Sequence, residues 1–218
     1  MFVFPVGFLQ EQRQHQIELY DYLLNDVKFL SYFQEDNGNI VDLKRHTVSK
    51  HGSPNILSDY LKADSNTLQL TGNSSLIVDL TLPSVFTIEC FIWLFETSSP
   101  QFLFGTYNVN NAQSQSLIFS TERCGNDQNF LTNVNLPVQT WFHAAVTFDS
   151  SNTITLYIDG ISQGAVTLLG LNPGTEFYIG GTPDDNNFGS WFVGNGYFDE
   201  FRITNFVRYV NDFDSLPY

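Results

Sequence analysis

The side chains best suited to chemistry lie between residues 180 and 192. Asp184, Asp185, Asn186 and Asn187 run consecutively, and Phe188, Trp191 and Phe192 follow. Aromatic rings stack on the apolar face of a sugar while carboxylate and amide oxygens accept from its hydroxyls, the mixture of a small polar ligand site. The same oxygens suit Ca2+, which takes about 6–8 oxygen ligands. A third reading is packing, with Phe188, Trp191 and Phe192 folded over an edge of the domain or against another subunit. The residues alone leave all three open.

Other reactive side chains fit structural roles better. Asp199 and Glu200 are adjacent, so on a strand they point to opposite faces. Glu200 and Arg202 then share a face as an ion pair, and Asp199 accepts hydrogen bonds. A retaining glycosidase needs two carboxyls about 5 Å apart, which requires alternating carboxylates on one strand, and no such run occurs. His143 follows Trp141 within a strand and reads as a hydrogen-bonded structural histidine, while His15, His46 and His51 stand apart from any nucleophile motif. Catalysis is therefore not expected. Cys90 sits in an apolar run as a small buried hydrophobe. Cys124 sits in the polar stretch Glu122 to Asn126, and neither cysteine forms a Cys-x-x-Cys pair, so zinc is not expected. A disulfide between them would require strand and loop to meet at bonding geometry.

These groups need a β scaffold. The chain of 218 residues carries 21 Phe, 10 Tyr and 3 Trp, a composition that favours strands. Val85 to Phe95 alternates Phe86, Ile88, Cys90, Ile92 and Leu94 on one face with Thr87, Glu89, Phe91, Trp93 and Phe95 on the other. Bulk on both faces predicts a central strand covered on both sides. Thr153 to Ile158 alternates and then meets Asp159-Gly160, the short-range hairpin signal. Further strands are expected at 67–71, 75–80, 101–107, 115–120, 141–149, 161–168, 176–179 and 197–203. About a dozen short strands separated by Asn, Gly, Ser and Pro loops predict an all-β fold, an antiparallel two-sheet sandwich.

Residues 1–26 differ. Phe2, Phe4 and Phe8 lie in an apolar start broken by Pro5 and Gly7, which suits an extended arm. Ile17, Tyr20 and Leu24 then recur at i, i+3 and i+7, predicting a short amphipathic helix near 11–25. That much apolar surface calls for a partner, so the arm is expected to anchor the domain (27–218) to a sister copy or a scaffold protein.

The formal net charge of −14 disfavours nucleic acid, since phosphate binding needs clustered Lys and Arg. Anionic membrane surfaces are disfavoured for the same reason. The apolar start lacks a basic n-region and a small-residue cleavage site, so no signal peptide is expected. No window approaches the roughly 20 apolar residues of a membrane span.

Several segments together resemble a known family. Gly196-Tyr197-Phe198-Asp199-Glu200-Phe201-Arg202-Ile203-Thr204 leads into Val207-Arg208-Tyr209 and Asp212-Phe213. Phe86-Thr87-Ile88-Glu89, Trp141-Phe142-His143-Ala144-Ala145-Val146, Ile154 to Gly160, Val27 to Phe33 and His46-Thr47-Val48 precede them in order. This set resembles laminin-G-like, concanavalin A-like jelly-roll domains of the kind found in bacteriophage tail and virion surface proteins. The resemblance covers roughly residues 27–213 and makes Trp141, His143, Asp159, Gly160, Asp199, Glu200 and Arg202 a structural signature. It implies a non-enzymatic structural protein of a phage virion (tail, baseplate, fibre or capsid decoration). Its partners would be other virion proteins, further copies of itself in a homo-oligomer, and cell-surface glycan. The alternative is a glycan-binding adhesin, with a glycoside hydrolase or lyase behind both. No cofactor is required. Ca2+ is in doubt, because the turn Leu70 to Leu76, where many relatives carry an Asp, has no carboxylate.

Overall fold

The computed structural model describes residues 26–36, 38–58, 66–72, 74–97, 100–106, 115–132, 134–181 and 192–214. The expected arm and helix, with Phe2, Phe4, Phe8, Ile17, Tyr20 and Leu24, lie outside these residues. So do Asp184, Asp185, Asn186, Asn187, Phe188 and Trp191.

Two eight-stranded sheets pack face to face. The first has the order β15 (Ile161–Thr167), β14 (Thr153–Ile158), β13 (Trp141–Phe148), β8 (Phe86–Leu94), β18 (Gly196–Thr204), β6 (Thr67–Leu70) and β5 (Asn55–Leu57), with β1 (Val27–Ser31) also on β18. The second has the order β12 (Phe130–Thr132), β11 (Arg123–Gly125), β10 (Ile118–Ser120), β9 (Gln101–Thr106), β16 (Glu176–Ile179), β7 (Ser75–Asp79) and β4 (Val48–His51). There β17 (Phe192–Val193) lies parallel to β9. A small ribbon pairs β2 (Glu35–Asp36) with β3 (Asn39–Ile40). Every other pairing is antiparallel, and the described residues include no α-helix. The all-β sandwich expected from alternation is the fold observed.

Alternation also decides what faces what. Phe86, Ile88, Ile92 and Leu94 of β8, Phe142, Val146 and Phe148 of β13, and Ile154 and Leu156 of β14 enter one core. From the second sheet Leu76, Val78, Phe104, Phe119 and Phe177 meet them. Phe104 sits edge-on to Phe201 at 5.4 Å between centroids, tying the sheets at their centre. Asp159 and Gly160 take φ of 48° and 78°, the left-handed pair of a type I′ turn that matches strand twist. By contrast, β6 and β7 do not pair although only residues 71–74 separate them. Leu68 and Leu70 reach the core from one sheet and Leu76 and Val78 from the other.

One irregularity matters for the site. Asp199 pairs with Phe91 and Arg202 with Glu89, three residues on β18 against two on β8. The surplus residue is a β-bulge, with Glu200 at φ 49°. This corrects simple alternation. Asp199 and Arg202 share the outer face, and Phe201 turns inward to the core. The bulge is also where β18 exchanges its neighbour, β6 along Gly196–Phe198 and β1 along Phe201–Thr204.

Cys124 corrects a second expectation. It belongs to β11, not to a loop, and is fully buried. The Ser120 hydroxyl accepts from the backbone N–H groups of Glu122 and Arg123, and this tight turn carries the polar pair outward while Cys124 enters the core. Cys90 is buried as well, and both thiols are free.

Candidate functional site

The outer face of the first sheet carries two neighbouring constellations, one closed and one open. The closed one centres on Glu89, whose side chain is fully buried. Arg202 Nε donates to Oε1 at 2.9 Å, and Arg208 Nε lies 3.1 Å from the same oxygen. The Tyr209 hydroxyl donates to Oε2 at 2.6 Å. His143 Nε2 lies 3.3 Å from Oε2, off the line of a well-formed hydrogen bond. Burial pushes the Glu89 pKa up, but Arg202, His143 and Arg208 overcome it and hold the carboxyl below the ordinary range. Glu89 is therefore an anion sealed among cations.

The seal is the segment that follows β18. Asn205 N–H donates to Asp26 O, and Thr87 Oγ1 donates to Phe206 O and accepts from Arg208 N–H. The strap then crosses β13 and β14. Tyr209 and Phe213 stack at 3.6 Å between centroids, each ring against His143 and Tyr157. It fastens on the β14–β15 hairpin, where Phe213 N–H donates to Gly160 O and Ser162 N–H to Asp212 Oδ1, both at 2.9 Å. A Cβ at Gly160 would stand 1.8 Å from Phe213 O. Asp159 Oδ1 accepts from His143 N–H at 2.8 Å, locking hairpin to strand.

The open constellation is one cross-strand row. Trp141 pairs with Trp93, Trp93 with Tyr197, Tyr197 with Gln69, and Gln69 with Asn55. The row thus crosses five adjacent strands, β13, β8, β18, β6 and β5. All five residues lie on the outer face, because their chain neighbours Phe142, Ile92, Phe198, Leu68 and Ile56 line the core or pack on it. Trp93 sits edge-on to Trp141 at 6.1 Å, and Trp141 lies 6.4 Å from Tyr197. Phe95 adds an edge-on contact to Tyr197 at 5.0 Å. Trp93, Trp141, Phe95 and Gln69 are half-buried and Asn55 is exposed. Asn55 Nδ2 donates to Gln69 Oε1 at 3.3 Å. Among the described residues the central strand is thus covered at Glu89 and Phe91 but partly exposed at Trp93.

Neither buried carboxylate near the row is placed for acid–base work. A general acid must be protonated at working pH and within reach of substrate; Glu89 is ionised and sealed. Asp199 is fully buried, accepting from Thr67 Oγ1 at 3.3 Å and Glu200 N–H at 2.8 Å. Arg202 is engaged with Glu89 across the strands. Among the described residues no group of three or more His, Cys, Asp or Glu could hold a metal ion. Of the stretch 184–192 only the Phe192 backbone is described, in β17 beside Gln101. Sequence reasoning missed the row and the partners of Glu89. The available signal was Trp93 and Trp141, both on the strand faces opposite the core-facing residues.

Residues 58–212 match the family described as the concanavalin A-like lectin/glucanase superfamily, of laminin-G type. The chain belongs to this superfamily. Solved structures show the same lectin-like fold. Domain 4 of AbnA, a GH43 extracellular arabinanase from Geobacillus stearothermophilus, solved with arabinotriose, superposes with a TM-score of 0.59 at 15% identity over 83% of this chain and 93% of that one. A structure of botulinum neurotoxin type C, whose cell entry depends on interaction with two ganglioside molecules, gives 0.58 at 15% identity over 89% of this chain and 50% of that one. The binding domain of Paraclostridial Mosquitocidal Protein 1 gives 0.59 at 16% identity over 86% and 50%. The lectin-like chain therefore spans about half the length of the toxin structures. No curated protein sequence matches it. Among the described residues no helix is long and apolar enough to cross a membrane.

Proposed function

We propose that this lectin-like domain is a non-enzymatic recognition module that takes a glycan on the outer face of its first sheet. The observation that carries the reading is the row Trp141–Trp93–Tyr197–Gln69–Asn55, an apolar platform that passes into amides. This is the chemistry of a sugar site, aromatic area for the ring faces with a few placed polar groups for the hydroxyls. The arabinotriose complex of AbnA domain 4 supports it by analogy of fold. Display on a bacteriophage particle, with residues 1–26 as the anchor to virion proteins or sister copies, rests on the resemblance of Gly196 to Phe213 noted above. The stretch Asp184 to Phe192 is retained as a proposed second contact.

Glycan-array binding of the wild-type protein beside Trp93→Ala and Gln69→Ala tests the reading. The expected result is a wild-type signal that both variants lose or weaken while their melting curves stay cooperative. A wild-type protein that binds no glycan refutes it.

A further inference from the structure

We infer that the ligand is an uncharged oligosaccharide chain that lies across the strands and is held along several consecutive sugars, not by one terminal residue. This deepens the glycan-binding reading and rests on it.

The first argument is spacing. Adjacent strands are about 4.8 Å apart, close to the advance per residue of an extended pyranoside chain. Tyr197 is buried in the middle of the row, so the accessible side chains Trp141, Trp93, Gln69 and Asn55 offer roughly one contact per sugar, over about 19 Å from β13 to β5. The second is the openness of both ends. β5 is the last strand of its sheet, and Asn55 on it is exposed. At the other end β13 runs past its neighbour. β14 pairs with it only from Ala144 onward, so Trp141 projects beyond the β14–β15 hairpin. Among the described residues, both ends of the row are therefore accessible to a chain.

The third argument is polarity within the row. Trp93 and Trp141 meet at 72°, so one indole can present its face while the other closes its edge. At the far end, the Asn55–Gln69 hydrogen bond uses Asn55 Nδ2 and Gln69 Oε1. Asn55 Oδ1 and Gln69 Nε2 are left as one acceptor and one donor group, matched to vicinal hydroxyls that do both. The fourth is charge. The row contains no Lys, Arg, Asp or Glu, the nearest arginines are committed to Glu89, and Glu96 beside Phe95 is exposed. With a net charge of −14, a uronate or sialylated chain meets repulsion and, among the described residues of the row, no cation.

The test is calorimetric titration with neutral oligosaccharides of one to six residues, taken from β-1,4-glucan, β-1,4-xylan and α-1,5-arabinan, beside uronic acid oligomers of equal length. Affinity is expected to rise with length to about four residues, the number of strand steps along the row, and then level. Uronates should bind at least tenfold more weakly than the best neutral series. Asn55→Ala, at an exposed position whose described side-chain hydrogen bond is the one to Gln69, should weaken the tetramer and longer chains but not the dimer. A monosaccharide binding as tightly as the tetramer, or uronates matching neutral chains, overturns the inference while the glycan-binding reading stands. Absence of binding to any glycan, on the array as in the calorimeter, overturns both.

Discussion

Glu89→Gln is the most informative single change, because it keeps shape and removes one charge. In the native protein Oε1 faces two guanidinium donors and Oε2 faces the Tyr209 hydroxyl. Glutamine can accept through only one oxygen, and its amide nitrogen then meets donors. Arg202, with only 4% of its side chain exposed, stays charged without its counter-ion. Removing one partner of a buried pair costs about 3–5 kcal/mol. Arg208 is 21% exposed, so water relieves it and adds little. At 2–4 °C per kcal/mol for a domain of this size, the melting temperature should fall by roughly 6–20 °C. Replacing both partners, Glu89→Leu with Arg202→Met, should recover much of that loss, since apolar substitutes for a buried pair are often near neutral. The pH dependence has a definite sign. The folded-state pKa of Glu89 lies below its ordinary value of 4.5, so its contribution is complete above that pH. It is lost as pH falls further, because the unfolded chain takes up the proton first. The wild-type and Glu89→Gln stability curves should therefore converge in acid. Urea and thermal denaturation followed by circular dichroism read all of this. A Glu89→Gln protein melting within about 2 °C of wild type would refute the sealed-anion account.

Three further outcomes follow from the same geometry. Burial pushes both the Cys90 and Cys124 thiols well up, so a thiol reagent such as DTNB should titrate neither until denaturant is added; prompt native reaction would contradict their placement. Gly160→Ala should cost more than the 1–3 kcal/mol of a left-handed φ alone, because the new methyl displaces Phe213 O, and hydrogen exchange should show the strap loosening before the β13–β14 pairing. EDTA should leave the melting temperature unchanged to within about 1 °C; a drop of several degrees reversed by Ca2+ would assign a metal to Asp184 and Asp185, since saturating ligand at 100 times its Kd adds about 2.7 kcal/mol.

What the sequence made legible was local. Alternation over Phe86 to Leu94 and Thr153 to Ile158, with Asp159-Gly160 between strands, depends on neighbours in the chain and read correctly as sandwich strands. What it concealed was long-range. Glu89 meets Arg202 and Tyr209 at separations of 113 and 120 residues, and no period in either segment announces the other. The bulge at Glu200 is a surplus only relative to β8, so β18 alone reads as regular. The aromatic row draws one residue from each of five strands whose spatial order, β13-β8-β18-β6-β5, is not their chain order. Cys124 read as a loop residue because its flanking residues are polar, whereas the Ser120 turn decides which side chain points inward.

The strap also determines how the domain would carry load. Val27 of β1 pairs with Thr204 of β18, so the two strands nearest the ends of the sandwich separate from their paired ends, one ladder bond after another, if drawn apart there. The strap moves the point of traction away from that weak start. A pull applied at residues 26 and 214 first meets the hairpin fastenings of Asp212 and Phe213, then the ring stack of Tyr209, then the ions around Glu89. The β1–β18 ladder bears tension only after these have parted. For the glycan-gripping module proposed above, the sealed half of the sheet would act as a mechanical fuse that parts before the β1–β18 ladder is loaded.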